Sequence, residues 1–260
     1  MSEKKTTVRI PVLLYLLFST VFCAAQEITV AAASDLQFAL QDVKGRFEKD
    51  TGAQVKLVFG SSGNLFTQIQ NGAPFDLFFS ADIEYPQKLE TAGLTEAGTL
   101  YEYAVGKLAL WAPKDSVLDL SRGLQVLLDP RIKKIAIANP EHAPYGRAAV
   151  AALRHEEIYD KVADRLVLGE NISQAASFVV SGSADIGIVA LSLALAPSLK
   201  DKARYAELPA DEYPAIRQAA VVLKSSKQKQ AAGRFLAYLK TPAIVELLRS
   251  YGFAVAAGRS

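Results

Sequence analysis

One cysteine, one methionine, one tryptophan and two histidines are all that a chain of 260 residues contains of these types. Cys23 sits among the first residues, so the rest of the chain has neither a disulfide framework nor a thiolate metal site and must be held by packing. His142 and His155 form no metal cluster in sequence, and His155 lies in Arg154-His155-Glu156-Glu157, which reads as a solvated helix face. The formal net charge is only +2, and Arg131 with Lys133 and Lys134 reads as a solvated loop. No Lys/Arg stripe is available to neutralise a phosphate backbone, which excludes nucleic acid as a partner. Repeats, low-complexity tracts and Gly/Ser linkers are absent as well, which argues against domains strung on flexible linkers.

An uncharged apolar run is present at the start. Lys4, Lys5 and Arg9 precede Pro11 to Phe22, and the small residues Ala24 and Ala25 follow. This is the pattern of a secretory signal peptide spanning residues 1–25. The competing reading is an uncleaved anchor, since Ile10 to Gln26 is close to the shortest spanning length; lipidation of Cys23 is disfavoured by the bulky Phe22 before it. Without residues 1–25 the chain loses three of its 29 basic and one of its 27 acidic residues, which leaves 26 of each sign. The remainder is long enough for two modest hydrophobic cores.

Strand-like runs alternate with helical periodicity, which predicts an α/β fold. The first set is a strand at Ile28–Ala33, a helix through Leu36, Leu40, Val43 and Phe47, a strand at Val55–Phe59, a helix at Ser62–Asn71 and a strand at Asp76–Ser80. The second set is a strand at Val105–Trp111, a strand at Ile135–Ala138, a long helix from Tyr145 and a strand at Asp185–Val189. A strand at Gln218–Leu223 leads to two C-terminal helices, the last opened by Thr241 as N-cap and Pro242 as its first residue. The expected organisation is residues 26–104 with 224–260 as one lobe and 105–223 as the other, each a mostly parallel sheet flanked by helices, with chain crossings near Ala104 and Leu223.

Small polar residues gather where strands meet helices: Ser34 and Asp35, then Ser61, Ser62, Gly63 and Asn64. The second half offers Asn139 to Gly146, with Tyr145, and Gly169 to Ser173, with Asn171 and Ile172. The first turn of a helix carries N–H groups without intrahelical partners and a partial positive charge, so an anion is a natural guest. The same residues are preferred N-caps in any protein, and Ser34 with Gln37 fits a capping box. Junctions at the carboxyl edge of one parallel sheet favour a ligand over capping alone. A serine hydrolase with Ser62 and His142 is a weaker alternative, because Phe59-Gly60-Ser61-Ser62-Gly63 misses the Gly-x-Ser-x-Gly spacing by one residue.

The order of Thr29-Val30-Ala31-Ala32-Ala33-Ser34, Phe59-Gly60-Ser61-Ser62-Gly63-Asn64-Leu65, Gly72 to Asp82, Asn139 to Gly146, Gly187-Ile188-Val189 and Tyr251-Gly252-Phe253 resembles the periplasmic molybdate-binding proteins of ABC importers, the ModA family. The resemblance implies a two-lobed periplasmic-binding-protein fold of type II, holding molybdate or tungstate by hydrogen bonds alone, with no cofactor and no catalytic residue. By motif position, Ser34 and Ser62 would donate hydroxyl and backbone N–H, and Tyr145 and Ile172 backbone N–H; Asp35, Ser61 and Asn171 are further candidates. Many members carry a tyrosine after Gly-Ile-Val, where this chain has Ala190, and the expectation is that the Tyr145 hydroxyl takes its place, as in the Pro-Tyr-Gly branch. Partners implied are an ABC permease with its ATPase, in the periplasm, for a monomeric protein. A site of donors only would leave the proton of hydrogen phosphate without an acceptor. Sulfate or another oxyanion is the alternative ligand, because its rejection rests on pocket size.

Overall fold

The computed structural model describes residues 27–255; the predicted signal segment and Cys23 lie outside them. In chain order, β1 (Glu27–Ala33), α1 (Gln37–Thr51), β2 (Gln54–Gly60), α2 (Ser62–Gln70), β3 (Leu77–Ser80), α3 (Glu84–Thr91) and β4 (Tyr101–Gly106) open the fold. Next come β5 (Leu108–Pro113), β6 (Ile135–Ala138), α4 (Pro144–His155), α5 (Tyr159–Val162), β7 (Leu166–Gly169), α6 (Ile172–Val180), β8 (Ile186–Ala190), α7 (Leu191–Ala194) and β9 (Ala203–Glu207). The chain ends with β10 (Ile216–Val222), α8 (Lys229–Tyr238) and α9 (Pro242–Ser250).

Two five-stranded sheets result, one ordered β2-β1-β3-β10-β4 and the other β7-β6-β8-β5-β9. Both are mixed rather than mostly parallel. In the first, β1 lies parallel to β2 and β3 while β10 runs antiparallel to β3 and β4; in the second, β6 lies parallel to β7 and β8 while β5 runs antiparallel to β8 and β9. The reason is the path of the chain. β4 and β5 are separated by Lys107 alone, so the chain passes straight from one sheet into the other, and what reads in sequence as one strand at Val105–Trp111 is two.

β10 lies between β3 and β4, so the strand that sequence reasoning assigned to the second lobe belongs to the first. The second crossing therefore falls between Glu207 and Ile216, not near Leu223. α8 and α9 pack back on the first sheet.

Alternation along the strands explains how each face is covered. Ile28, Val30 and Ala32 join Leu40, Val43 and Phe47 of α1 with Phe235 and Leu248 of the C-terminal helices on one face. Ala31, Phe78 and Val221 turn the other way, onto Leu65 and Ile69 of α2 and Leu89 of α3. The second sheet has its own core around Trp111, Ile137, Leu153 and Ile188. Two cores on two sheets leave the strand ends between them to face each other.

Candidate binding site

A small pocket lies between the sheets, lined by Ala33, Ser34, Asp35, Gly60, Ser61, Ser62 and Ala81 from the first lobe and by Ala143, Pro144, Tyr145 and Ile172 from the second. Each lining segment directly follows a strand: β1, β2 and β3 on one side, β6 and β7 on the other. This is the carboxyl edge of the parallel strands, where α/β sheets bind ligands. The free volume is about 10 Å3, at the lower bound for even one water-sized body. The lobes are closed tightly, and a larger solute needs them to part.

Local sequence dictates which polar groups remain for a guest. Ser61 is the N-cap of α2 in extended backbone, and its Oγ accepts from Asn64 N–H at 3.4 Å. Ser62 is therefore the first helical residue, with an N–H that has no intrahelical acceptor. Its buried Oγ accepts from Ala81 N–H at 3.0 Å, which leaves the hydroxyl proton available to the pocket. Ser34 Oγ likewise accepts from Ser173 N–H at 3.4 Å. Ser34 makes no capping box with Gln37; instead the Ser173 hydroxyl lies 2.9 Å from Ser34 O and 2.7 Å from Gln37 Oε1, so both residues join α6 of the opposite lobe.

On that lobe, Pro144 opens α4 and Tyr145 follows as its second residue, while Ile172 opens α6, so both N–H groups belong to first turns. Asn171 does not line the pocket: its Oδ1 caps α6 by accepting from Gln174 N–H at 3.1 Å.

The Tyr145 hydroxyl is committed elsewhere than sequence reasoning placed it. It donates to Asp35 Oδ2 at 3.0 Å and accepts from Gln218 Nε2 at 2.9 Å. Gln218 Nε2 also donates to Asp35 Oδ2 at 2.7 Å, and Gln218 Oε1 accepts from Tyr103 at 2.8 Å. A buried carboxylate is the strongest acceptor within reach, so the available protons are drawn to it. Gly106 makes room for this group: a Cβ there would sit 2.1 Å from the Tyr145 hydroxyl and 2.7 Å from Gln218 Nε2. Gln218, Tyr103, Gly106, Ala81 and Ser173 were missed in sequence. The one available signal was Gln218 itself, an amide directly before the apolar run Ala219–Val222.

Asp35 is 1% exposed, and burial pushes its carboxyl up to about 7 against the hydrogen bonds from Gln218 and Tyr145 and the nearby N–H groups of Asp35 and Leu36. Burial, reinforced by Asp35, raises the Tyr103 and Tyr145 phenols well above their usual range. No Lys, Arg or His lines the pocket, and Asp35 is its one carboxyl group. The site is thus not made of donors only, and the expected rejection of phosphate loses its basis.

Around the rim, the lobes are fastened by small, directional contacts. Gly63 N–H donates to His142 O at 2.9 Å, His142 Nδ1 lies 2.9 Å from Ser61 Oγ, Asn64 reaches Glu170, and Arg147 pairs with Asp82 at 2.5 Å. His142 thus meets Ser61, a helix cap, and not Ser62, whose oxygen is held by Ala81; the hydrolase pair considered from sequence does not form. A wider cleft of about 530 Å3 between Asp82, Arg147 and Arg217 has its cations already paired, Arg147 to Asp82 and Arg217 to Glu102.

Residues 28–254 match the family model of the bacterial extracellular solute-binding proteins. The chain is 42% identical over 235 residues to the molybdate-binding protein ModA of Azotobacter vinelandii, covering 90% of this chain and 92% of that one. To ModA of Rhodobacter capsulatus it is 37% identical over 230 residues, covering 88% and 89%. The solved Azotobacter vinelandii periplasmic molybdate-binding protein superposes with a TM-score of 0.84 at 36% identity, over 88% of this chain and 100% of that one. The chain belongs to the bacterial extracellular solute-binding proteins and, within them, to the ModA family.

Proposed function

We propose that this protein captures molybdate or tungstate on the far side of the cytoplasmic membrane and delivers it to the permease and ATPase of an ABC importer. One observation carries the reading: a small pocket, closed between two lobes, where Ser34 and Ser62 hydroxyls meet first-turn N–H groups of Ser62, Tyr145 and Ile172. Such groups hold a tetrahedral oxyanion by its oxygens and need no cofactor and no buried cation. The names of the relatives supply the metal of the oxyanion. Nothing in this arrangement activates a nucleophile, so the protein binds and releases without chemistry.

The mechanism is hinge closure. The anion docks on one lobe, the other swings about the two crossings, and exclusion of water strengthens each hydrogen bond. The signal segment directs the chain to the periplasm, and the protein acts as a monomer.

Calorimetric titration of the purified protein with molybdate, tungstate and sulfate tests the reading. Tight one-to-one binding of the first two and weak binding of sulfate is the expected result. Sulfate binding as tightly as molybdate overturns the ligand assignment, and no binding of any oxyanion overturns the function.

A further inference from the structure

Asp35 carries an atom that the rest of the site does not account for. Its Oδ2 accepts two hydrogen bonds, from Tyr145 and Gln218, whereas Oδ1 is buried and has no hydrogen-bond partner of normal geometry, with only the Asp35 and Leu36 N–H groups near the carboxyl. Buried polar atoms are rarely left so, and this one belongs to a residue that lines the pocket. An ionised Asp35 would set a negative charge beside a doubly charged oxyanion in a buried space, where like charges repel strongly. A proton at Oδ1 converts that repulsion into a donated hydrogen bond.

We propose that Asp35 is a specificity-determining residue through which oxyanion capture is coupled to one proton, held between Asp35 Oδ1 and a ligand oxygen. The inference rests on the proposed oxyanion-binding function and adds the ionic form in which the site accepts its guest. Above neutral pH the empty site has lost the proton to solvent and takes one back as the dianion enters. A carboxyl raised to about 7 by burial is placed to make that exchange near physiological pH.

No other group facing Asp35 supplies or removes charge in that range. Tyr145 from α4 and Tyr103 from β4 are phenols held well above their usual range, and Gln218 from β10 is neutral. The Ser192 hydroxyl of α7 donates to Asp35 O at 2.8 Å, Ser173 of α6 bonds Ser34, and Ser62 of α2 bonds Ala81. His142 and Glu170 stand at the rim and bond Ser61 and Asn64.

The test is calorimetric titration with sodium molybdate at several pH values from 6 to 9, each in two buffers of different ionisation enthalpy, for the wild type and D35N. Asparagine keeps the shape, accepts from Tyr145 and Gln218 through its oxygen, and offers N–H where the proton would be. The wild-type affinity is expected to fall about tenfold for each pH unit above pH 8, with close to one proton taken up per molybdate. D35N is expected to lose that slope and to bind more tightly than wild type at pH 9. Because rim groups are common to both proteins, the difference between them isolates Asp35. A wild-type affinity that is flat across the range without proton uptake, or the same slope in D35N, overturns the coupling and leaves the oxyanion function standing. Absence of molybdate binding at every pH overturns the function, and the coupling with it. Proton uptake by the wild type is read without any variant, so the proposal stays testable even if D35N does not fold.

Discussion

Asp35 also makes a prediction about the empty protein that involves no ligand. With the lobes closed, as they are here, the folded state keeps its proton up to about pH 7, whereas an unfolded aspartate releases it near 3.8. Between those values the folded chain binds more protons than the unfolded one, so stability falls as pH rises through that window and levels off above it. The penalty accrued between pH 5 and pH 8.5 corresponds to about two pH units of the shift, or about 3 kcal/mol. Full burial of the group means that solvent screening does not reduce this figure much. D35N removes the titration. It also places an amide at the unpartnered position, at a cost that is the same at both pH values. The change in stability caused by D35N should therefore be about 3 kcal/mol more favourable at pH 8.5 than at pH 5. For a chain of this size that is about 6 to 12 °C in Tm, read by thermal denaturation monitored by circular dichroism without oxyanion. Equal effects of D35N at the two pH values would refute the argument, because a carboxyl that is ionised throughout gives no such difference.

Other perturbations separate the contacts that close the lobes. Y145F leaves Gln218 as the only side-chain donor to Asp35 Oδ2 and removes a buried bond across the cleft. Molybdate affinity in calorimetry should fall by about 1–3 kcal/mol, with circular dichroism unchanged. G63A puts a Cβ 2.8 Å from His142 O, a contact across the closed cleft, and 2.9 Å from the Tyr85 hydroxyl of its own lobe. It should raise the Kd at least tenfold, and small-angle scattering should show a more open envelope even with ligand. D82A breaks a partly exposed pair with Arg147 and should change affinity by no more than about 1 kcal/mol. G106A forces a Cβ into Tyr145 and Gln218 and should lower stability by about 1–3 kcal/mol in urea denaturation.

Much of this was legible in the chain because it depends on local pattern. The strand-to-helix junctions at Ser34, Ser62, Tyr145 and Ile172 follow from apolar runs that end in small polar residues, and the structure brings all four to one pocket. What was not legible depends on which sheet a strand joins. The run from Val105 to Trp111 reads as one strand, yet the chain changes sheets at Lys107. β10 is buried on both faces and would suit either lobe, so nothing local assigns it to the first. The short edge strands β7 and β9 are half exposed, β7 with an apolar run of only three residues and β9 with none, and neither was foreseen. The same limit hid the Asp35 network. The Tyr145 hydroxyl is expected on the ligand because Ala190 stands where many members of the resembled family carry a tyrosine, but the group that claims its proton lies 110 residues away in sequence, and Gln218 lies 183 residues from Asp35.

The position of that network relative to the crossings links pocket to hinge. Gly106 ends β4 one residue before the chain enters the second sheet, and Gln218 lies near the start of β10 just after it returns. Tyr145 stands on the second lobe and reaches across to both Asp35 and Gln218 on the first. Parting the lobes must therefore separate the Tyr145 hydroxyl from its two partners and expose the Asp35 carboxyl to water. Hydration favours the ionised form, so opening and loss of the proton support each other, as closing and gain of the proton do. An anion that binds only the closed, protonated form then shifts both equilibria in the same direction. The outer latches at Gly63, Asn64 and Arg147 are common to the closed state whatever the charge on Asp35. They hold the shape of the closed cleft, and the buried carboxyl at its centre makes that shape depend on what the cleft contains.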